Sequence, residues 1–414
     1  MGAPLDGVKV LDLTSSIAGP WCTQILGALG AEVIKVEHPK RGDDTRYWGP
    51  PFWNGESAAF LATNASKRSI GLDLGSAAGL EVALRLSEGA DVFVQNMRPG
   101  LVERLGLDFE RVRERSPEVV YCSIGAFGAV GPLSHRPGYD PLMQAAGGIV
   151  SVTGEEGRPP VRSGISIVDQ GTGLWAAVGI LAALHTRARD GGAQLVDTSL
   201  YETALNWVPR QLVDYFATGK VPRKMGSALD ILAPYQAFET ADDWIVIAAG
   251  NDRLFTTLCE TIERPRLAAD PRFATNADRV ANREQLVELI SEPLAAAPAA
   301  TWLERFEAAG VPVAPVQDIA AVAESPQTQA LGILQELPHP AIPELRVVAP
   351  PLSLNRARVE HRSAAPDLGE HSRVLLAEAG FGPGEIDELI REEVVTAPAS
   401  PDGERRSVEQ VRRV

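Results

Sequence analysis

Cysteine is scarce in this chain and histidine only slightly less so. The three cysteines, Cys22, Cys122 and Cys259, are odd in number and far apart. That excludes a disulfide framework or a C-x-x-C zinc knuckle, and it points to a reducing compartment, the cytoplasm. The six histidines, His38, His135, His185, His339, His361 and His371, form no H-E-x-x-H and no short-spaced pair, so no metal site is expected. Positive charge is short as well: 39 Lys and Arg stand against 54 Asp and Glu, a net charge of −15. No basic footprint for nucleic acid or an anionic membrane is present, although a few converging Arg or Lys can still hold a small polyanion. No unbroken run of about 18 apolar residues occurs, so no spanning helix is expected. Residues 1–10 lack a basic segment followed by an apolar one, so no signal peptide is expected either. Walker A is missing, and the G-x-S-x-G elbow fails because Tyr121 stands two residues ahead of Ser123, where its first glycine should be.

What is present is a globular composition, 45% hydrophobic and 22% charged over 414 residues, too long for one small core. The first half alternates short apolar runs with helical periodicity. Strands are expected at 8–13, 31–37, 68–74, 91–95, 119–123, 165–168 and 194–198. Helices are expected at 20–29, 77–86, 109–115, 173–187 and 200–216. Such alternation predicts an α/β fold, a parallel sheet covered by helices on both faces. Periodicity fades over 218–234, where Gly, Pro and Lys accumulate, and a linker is expected there. A second, smaller set follows: a strand at 244–249 and helices at 254–262, 283–289 and 300–309. A further linker is read at 311–316, which holds two prolines. Then come a strand at 345–348 and helices at 372–379 and 385–391.

Two local features carry possible chemistry. Gly171, Gly173 and Ala176 match a loose G-x-G-x-x-A, with Asp197 at a distance suited to a ribose contact. An NAD-dependent oxidoreductase would read that way. Asp169, two residues ahead, would repel a pyrophosphate, and glycines that allow close packing explain the same pattern. Asp169 has two readings of its own. At the head of a long apolar helix it suits an N-cap. At the carboxyl end of a strand it also faces the ligand crevice of an open sheet, where a helix dipole keeps a nucleophilic carboxylate ionised. Gly171 and Gly173 would let a bulky substrate come close.

Several separate blocks occur in one order: VLDLTSSIAGPWCTQILGALGAEVIKVEHP, NASKRSIGLDL, DVFVQNMRPGLVERLGL, RPGYDPLMQAAGGIVSVTG, GVPVAPVQDI and LGEHSRVLL. Together they resemble the family III CoA-transferases, the formyl-CoA and carnitinyl-CoA transferase type that also contains the α-methylacyl-CoA racemases. The resemblance spans nearly all of residues 5–395. It implies a large Rossmann-like domain with a smaller inserted α/β domain, in an interlocked homodimer. The expected layout is a first large-domain part at 1–217, a linker at 218–234 and a small domain at 235–310. A second linker and a return to the large domain follow at 311–396, then a mobile tail at 397–414.

The resemblance also implies that Asp169 is the nucleophile. It would move CoA from an acyl-CoA to a free carboxylic acid through an aspartyl anhydride and an aspartyl-CoA thioester. No permanently bound cofactor is implied; the CoA thioester is a substrate. Positions matching the family's CoA contacts are Ser16, Ile17, Ala18, His38, Leu72, Gly75, Asn96, Met97, Arg98, Arg104, Arg136 and Tyr139. His38 replaces an Arg of the formyl-CoA transferases and Gly75 a Lys. The glycine-run loop those enzymes place over the site is not evident between Met225 and Gly250, which points away from oxalate and formate. Racemases of this fold have His where Tyr139 stands here, and a Tyr near pKa ~10 is a poor base at neutral pH. A transferase is therefore the expectation, a racemase or isomerase the alternative within the fold, and an oxidoreductase the alternative outside it.

Overall fold

The computed structural model describes residues 2–398, so most of the expected tail, from 399 onward, lies outside the described residues. Two compact units emerge. The larger takes the residues up to Ile149, Ser163–Pro209 and those from Leu331 on; the smaller takes Val150–Arg162 and Arg210–Ala330.

In the larger unit the chain lays down β1 (Lys9–Leu13), α1 (Ala18–Ala28), β2 (Glu32–Glu37), β3 (Lys67–Leu72), β4 (Val92–Gln95) and β5 (Val120–Gly125). Next come α2 (Asp140–Ala146), α3 (Ile167–Asp190), β6 (Gln194–Ser199) and α4 (Leu200–Asn206). The six strands run parallel in the order β3-β2-β1-β4-β5-β6. Val395–Thr396 adds an antiparallel edge, with Val395 opposite Leu72. Strands buried on both faces need nearly continuous apolar sequence. β1 accordingly buries Val10, Leu11, Asp12 and Leu13 together. One face packs the helices Ala77–Glu88, Phe109–Arg115, Ser372–Glu378 and Pro383–Arg391 around Phe93 and Tyr121, whose rings stack at 5.0 Å.

Glycines set how closely α3 lies on its neighbours. A Cβ at Gly173 would sit 2.4 Å from the Ala18 carbonyl oxygen of α1, and one at Gly179 would sit 2.6 Å from Val196 of β6. This 24-residue helix is long and apolar enough, by length and composition alone, to cross a membrane. Its packing between α1 and β6 accounts for Val168, Ala176, Ala177 and Ile180, all buried.

The smaller unit has its own antiparallel sheet, β7 (Tyr235–Glu239), β8 (Trp244–Ala248) and β9 (Val313–Pro315), in the order β9-β8-β7. The helices Asp252–Thr261, Arg283–Leu294 and Ala299–Ala309 cover it around Phe238, Ile247, Phe255, Leu286 and Phe306.

Three expectations fail locally. The apolar run at 165–168 is no strand: Ile167 and Val168 open α3, since four apolar residues do not distinguish strand from helix. The helix expected at 200–216 is two, α4 and Pro209–Thr218, because Pro209 lacks the N–H that would continue the first. The segment read as a linker at 311–316 supplies β9, an edge strand, where proline is tolerated.

Candidate active site

The strand order reverses direction between β1 and β4, and in open parallel sheets the crevice outside the carboxyl ends at such a switch point receives the ligand. A cleft of about 560 Å³ lies there, walled by Ser15, Ser16 and Ala18 after β1, by Asn96, Met97 and Arg98 after β4, and by Ile124, Gly125 and Ala126 at the end of β5. Tyr139, Arg41 and Asp169 complete the residues that bear on its chemistry.

The loop after β1 is held from below by buried charge. Asp12 accepts from the Thr14 N–H and hydroxyl through one oxygen, and from the Thr23 hydroxyl and Lys67 Nζ, the latter at 3.2 Å, through the other. Lys35 Nζ donates to the Thr14 carbonyl at 2.9 Å and to Asp43 at 2.8 Å. Asp43 in turn accepts the Ser16 N–H at 3.2 Å, and Ser16 sits at φ 67°, the left-handed region that costs a non-glycine residue. Burial alone would raise the Asp12 pKa, but Lys67, Lys35 and the hydroxyls outweigh it and hold Asp12 down to about 2. Burial depresses Lys67 to about 8 against the pull of Asp12. Buried ions demand such pairing, since an unmatched one is costly.

Asp169 lies in the first turn of α3, half-buried on the cleft wall. It does not cap its own helix. The cap comes from α2: Asp140 Oδ2 accepts the N–H of Val168 at 2.8 Å and of Asp169 at 3.2 Å. The Asp169 carboxyl itself makes no hydrogen bond or ion pair among the described residues. Burial first, and the Asp140 charge second, push its pKa up to about 7.

The cleft gathers Ser16, Ala18, Asn96, Met97, Arg98, Tyr139 and Asp169 of the residues singled out from sequence. The others are not among its lining residues. Ile17 precedes α1 with its side chain buried, and Leu72 belongs to the core. His38 is exposed, its ring accepting the Lys40 N–H at 3.2 Å, and Gly75 lies exposed beside Asp73. Arg104 and Arg136 are exposed on the segments that flank the cleft residues. Arg41 escaped the sequence reading; a second basic residue three positions after His38 was the only available signal. The glycines also read differently in three dimensions. Gly171 and Gly173 lie inside α3, and a Cβ at Gly171 would meet the Trp207 indole at 2.8 Å. They serve helix packing and form neither a phosphate loop nor an approach path to the carboxylate. Among the described residues no group of three His, Cys, Asp or Glu is placed to hold a metal ion.

A family model described as CoA-transferase family III matches residues 5–372. The chain belongs to CoA-transferase family III. A relative in Mus musculus named succinyl-CoA:glutarate CoA-transferase is 38% identical over 94% of this chain and 89% of its own length. The acetyl-CoA:oxalate CoA-transferase of Acetobacter aceti is 41% identical over 80% and 85%. The succinyl-CoA:mesaconate CoA-transferase of Haloarcula hispanica is 39% identical over 93% and 98%. Among solved structures, a CaiB/BaiF family protein of Brucella suis superposes with a TM-score of 0.83 at 38% identity, covering 92% of this chain and all of that one. Relatives named CoA-transferases and matched over most of both chains support CoA-transferase activity between an acyl-CoA and an acid, and the parallel sheet together with the Brucella suis structure bears out the expected α/β architecture.

Proposed function

We propose that this enzyme moves CoA between short dicarboxylic acids with Asp169 as the covalent nucleophile. One observation carries the reading: a half-buried carboxyl without hydrogen-bonding partners stands on the wall of the switch-point cleft. The ionised Asp169 oxygen attacks the thioester carbonyl of the donor, the C–S bond breaks, and CoA leaves as thiolate from a mixed anhydride. The thiolate attacks the aspartyl carbonyl, expelling the donor acid and leaving an aspartyl-CoA thioester. The acceptor carboxylate attacks that thioester and releases the thiolate. The thiolate then attacks the acceptor's own acyl carbon, forming the new acyl-CoA and restoring Asp169. No net proton or water is consumed, and each step trades activated groups of similar energy.

The dicarboxylic class is supported by the relatives, named for glutarate, oxalate and mesaconate. Oxalate, disfavoured on sequence because of the missing glycine-run loop, therefore belongs in the substrate panel. Arg41 and Arg98, neither in an ion pair among the described residues, supply the local positive charge that CoA phosphates need in a protein of net charge −15. Arg41 takes the part the resemblance gave to position 38. A homodimer is supported by Leu174, Trp175 and Val178, which remain about half exposed on α3 and need a cover; its Rossmann-like, interlocked form rests on the family resemblance. A cytoplasmic setting suits the three buried free thiols. Racemisation would need a second base, and Asp140 is engaged through both oxygens, with Gln144 on one and two backbone N–H groups on the other.

Incubation with succinyl-CoA alone should leave a hydroxylamine-sensitive adduct on the peptide containing Asp169. Asp169→Ala should abolish exchange while CoA affinity stays within a few-fold. Full exchange by that variant would end the proposal, as would rapid solvent deuterium entry at the α-carbon of a 2-methylacyl-CoA without exchange.

A further inference from the structure

Asp140 takes no part in the chemistry proposed above, yet it is almost completely buried against the residue that does. It opens α2 at 3% exposure. Its Oδ1 accepts Gln144 Nε2 at 2.5 Å, and its Oδ2 accepts the two backbone N–H groups at the head of α3. Ser166, which precedes α3, makes no side-chain bond to it. The turn that carries the nucleophile is thus capped from another helix.

A carboxylate at a helix N-terminus is charge-complementary to the unsatisfied N–H groups there. Its bond to the Asp169 N–H also fixes the backbone from which the nucleophilic side chain departs. Resting on the assignment of Asp169 as nucleophile, we propose that Asp140 is its positioning residue, holding through the cap the backbone from which the Asp169 side chain departs.

Several charged or titratable groups surround Asp169. Tyr139 and Asp140 lie at the start of α2 and Arg41, Asp44 and Arg98 on the cleft, while the elements packed against α3 carry Cys22 on α1, Asp197 on β6 and Glu202 on α4. Of these, Asp140 alone shifts it, adding to the larger effect of burial. A like charge disfavours ionisation. The gain is nucleophilic strength: a more basic carboxylate attacks a carbonyl faster once ionised, provided its pKa stays near the working pH.

The test is an infrared difference titration of the Asp169 carboxyl, full-length protein minus its Asp169→Asn variant. It is repeated in Asp140→Asn and Asp140→Ala backgrounds whose melting is checked. Single-turnover adduct formation from succinyl-CoA is followed against pH in parallel. In the parent protein the carboxyl should titrate near 7. Asp140→Asn keeps an acceptor for the N–H groups and loses the charge, so the titration and the acid limb of adduct formation should both move down by about one pH unit. Its alkaline plateau should stay within a few-fold of the parent's. Asp140→Ala loses the cap too, and its plateau should fall by about tenfold or more.

A folded Asp140→Asn with an unmoved titration overturns the charge effect, and a folded Asp140→Ala with the parent plateau overturns the positioning. Should neither variant fold, amide hydrogen exchange in the parent decides the cap. Strong protection of the Val168 and Asp169 N–H groups supports it and rapid exchange overturns it, while a titration near an ordinary carboxyl value of about 4 overturns the charge effect. The titration needs no substrate. Absence of any adduct beside the expected titration would therefore overturn the nucleophile's function while supporting its electrostatic relation to Asp140.

Discussion

Ser15 and Asn96 clasp each other across the sheet's switch point. The Ser15 N–H donates to Asn96 Oδ1 at 3.0 Å, and Asn96 Nδ2 returns a bond to the Ser15 carbonyl at 2.8 Å. One side chain ties the loop after β1 to the loop after β4, and both line the cleft. Asn96→Ala removes both bonds, each worth about 1 kcal/mol net. The expected outcome is a KM for the CoA thioester raised about tenfold with a smaller change in kcat, read by steady-state kinetics. An unchanged KM would contradict the clasp's role.

Arg41 offers a sharper contrast with His38. Arg41→Ala should raise KM for acyl-CoA by about tenfold, weaken its dependence on ionic strength, and leave kcat nearly as it was. His38→Ala, which alters an exposed ring outside the cleft lining, should do little. Equal effects from the two substitutions would return the phosphate role to position 38.

Asp169 should cost the fold stability at neutral pH. Its pKa is about 7 folded against about 3.9 unfolded. Between those values the folded chain holds a proton that the unfolded chain has released. The group's contribution therefore declines as pH rises through this window, and the penalty is full above 7. Asp169→Asn should stabilise the protein at pH 8 by about 1–2 kcal/mol, after discounting for partial solvent exposure, and hardly at pH 4. Melting curves at both pH values decide it; a gain equal at both would refute the linkage.

Beneath the cleft, Lys67 pairs with Asp12 where both side chains are wholly buried. Lys67→Met leaves the carboxylate without its nearest cation and should destabilise by about 3–5 kcal/mol. Replacing Asp12 with Leu in the same chain should recover part of that loss. Denaturant titration measures both, and a single variant as stable as the parent would show that the pair is dispensable.

Gly173→Ala should separate α1 from α3, because the new Cβ would lie 2.4 Å from a backbone oxygen that cannot rotate away. A loss of about 1–3 kcal/mol is expected from overpacking of this kind. A neutral substitution, seen in thermal melts, would mean the helices move apart freely.

Much of the larger unit was legible because its strands are buried on both faces and its helices on one. The apolar runs at 8–13, 31–37 and 119–123 became β1, β2 and β5 within a residue or two. β7 was missed: Tyr235–Glu239 lies half-exposed beside β8 and lacks such a run. Asp169 was singled out as the proposed nucleophile through the order of sequence blocks and not through its neighbours, since an Asp at a helix start looks the same whether it caps or reacts.

Local chemistry in the chain determined where most strands and helices form, and that an Asp heads the longest helix with no metal motif in the sequence beside it. Periodicity and side-chain type suffice for these, because they act over a few residues. Tertiary structure alone decided that Asp140 caps α3 and so frees Asp169, that Gly171 and Gly173 pack against Trp207 and α1, and that Arg41 reaches the cleft where His38 does not. Each of these depends on which distant segments meet once parallel strands are ordered in space, and hydrogen bonds, steric contact and charge act only between groups that have been brought within a few ångströms.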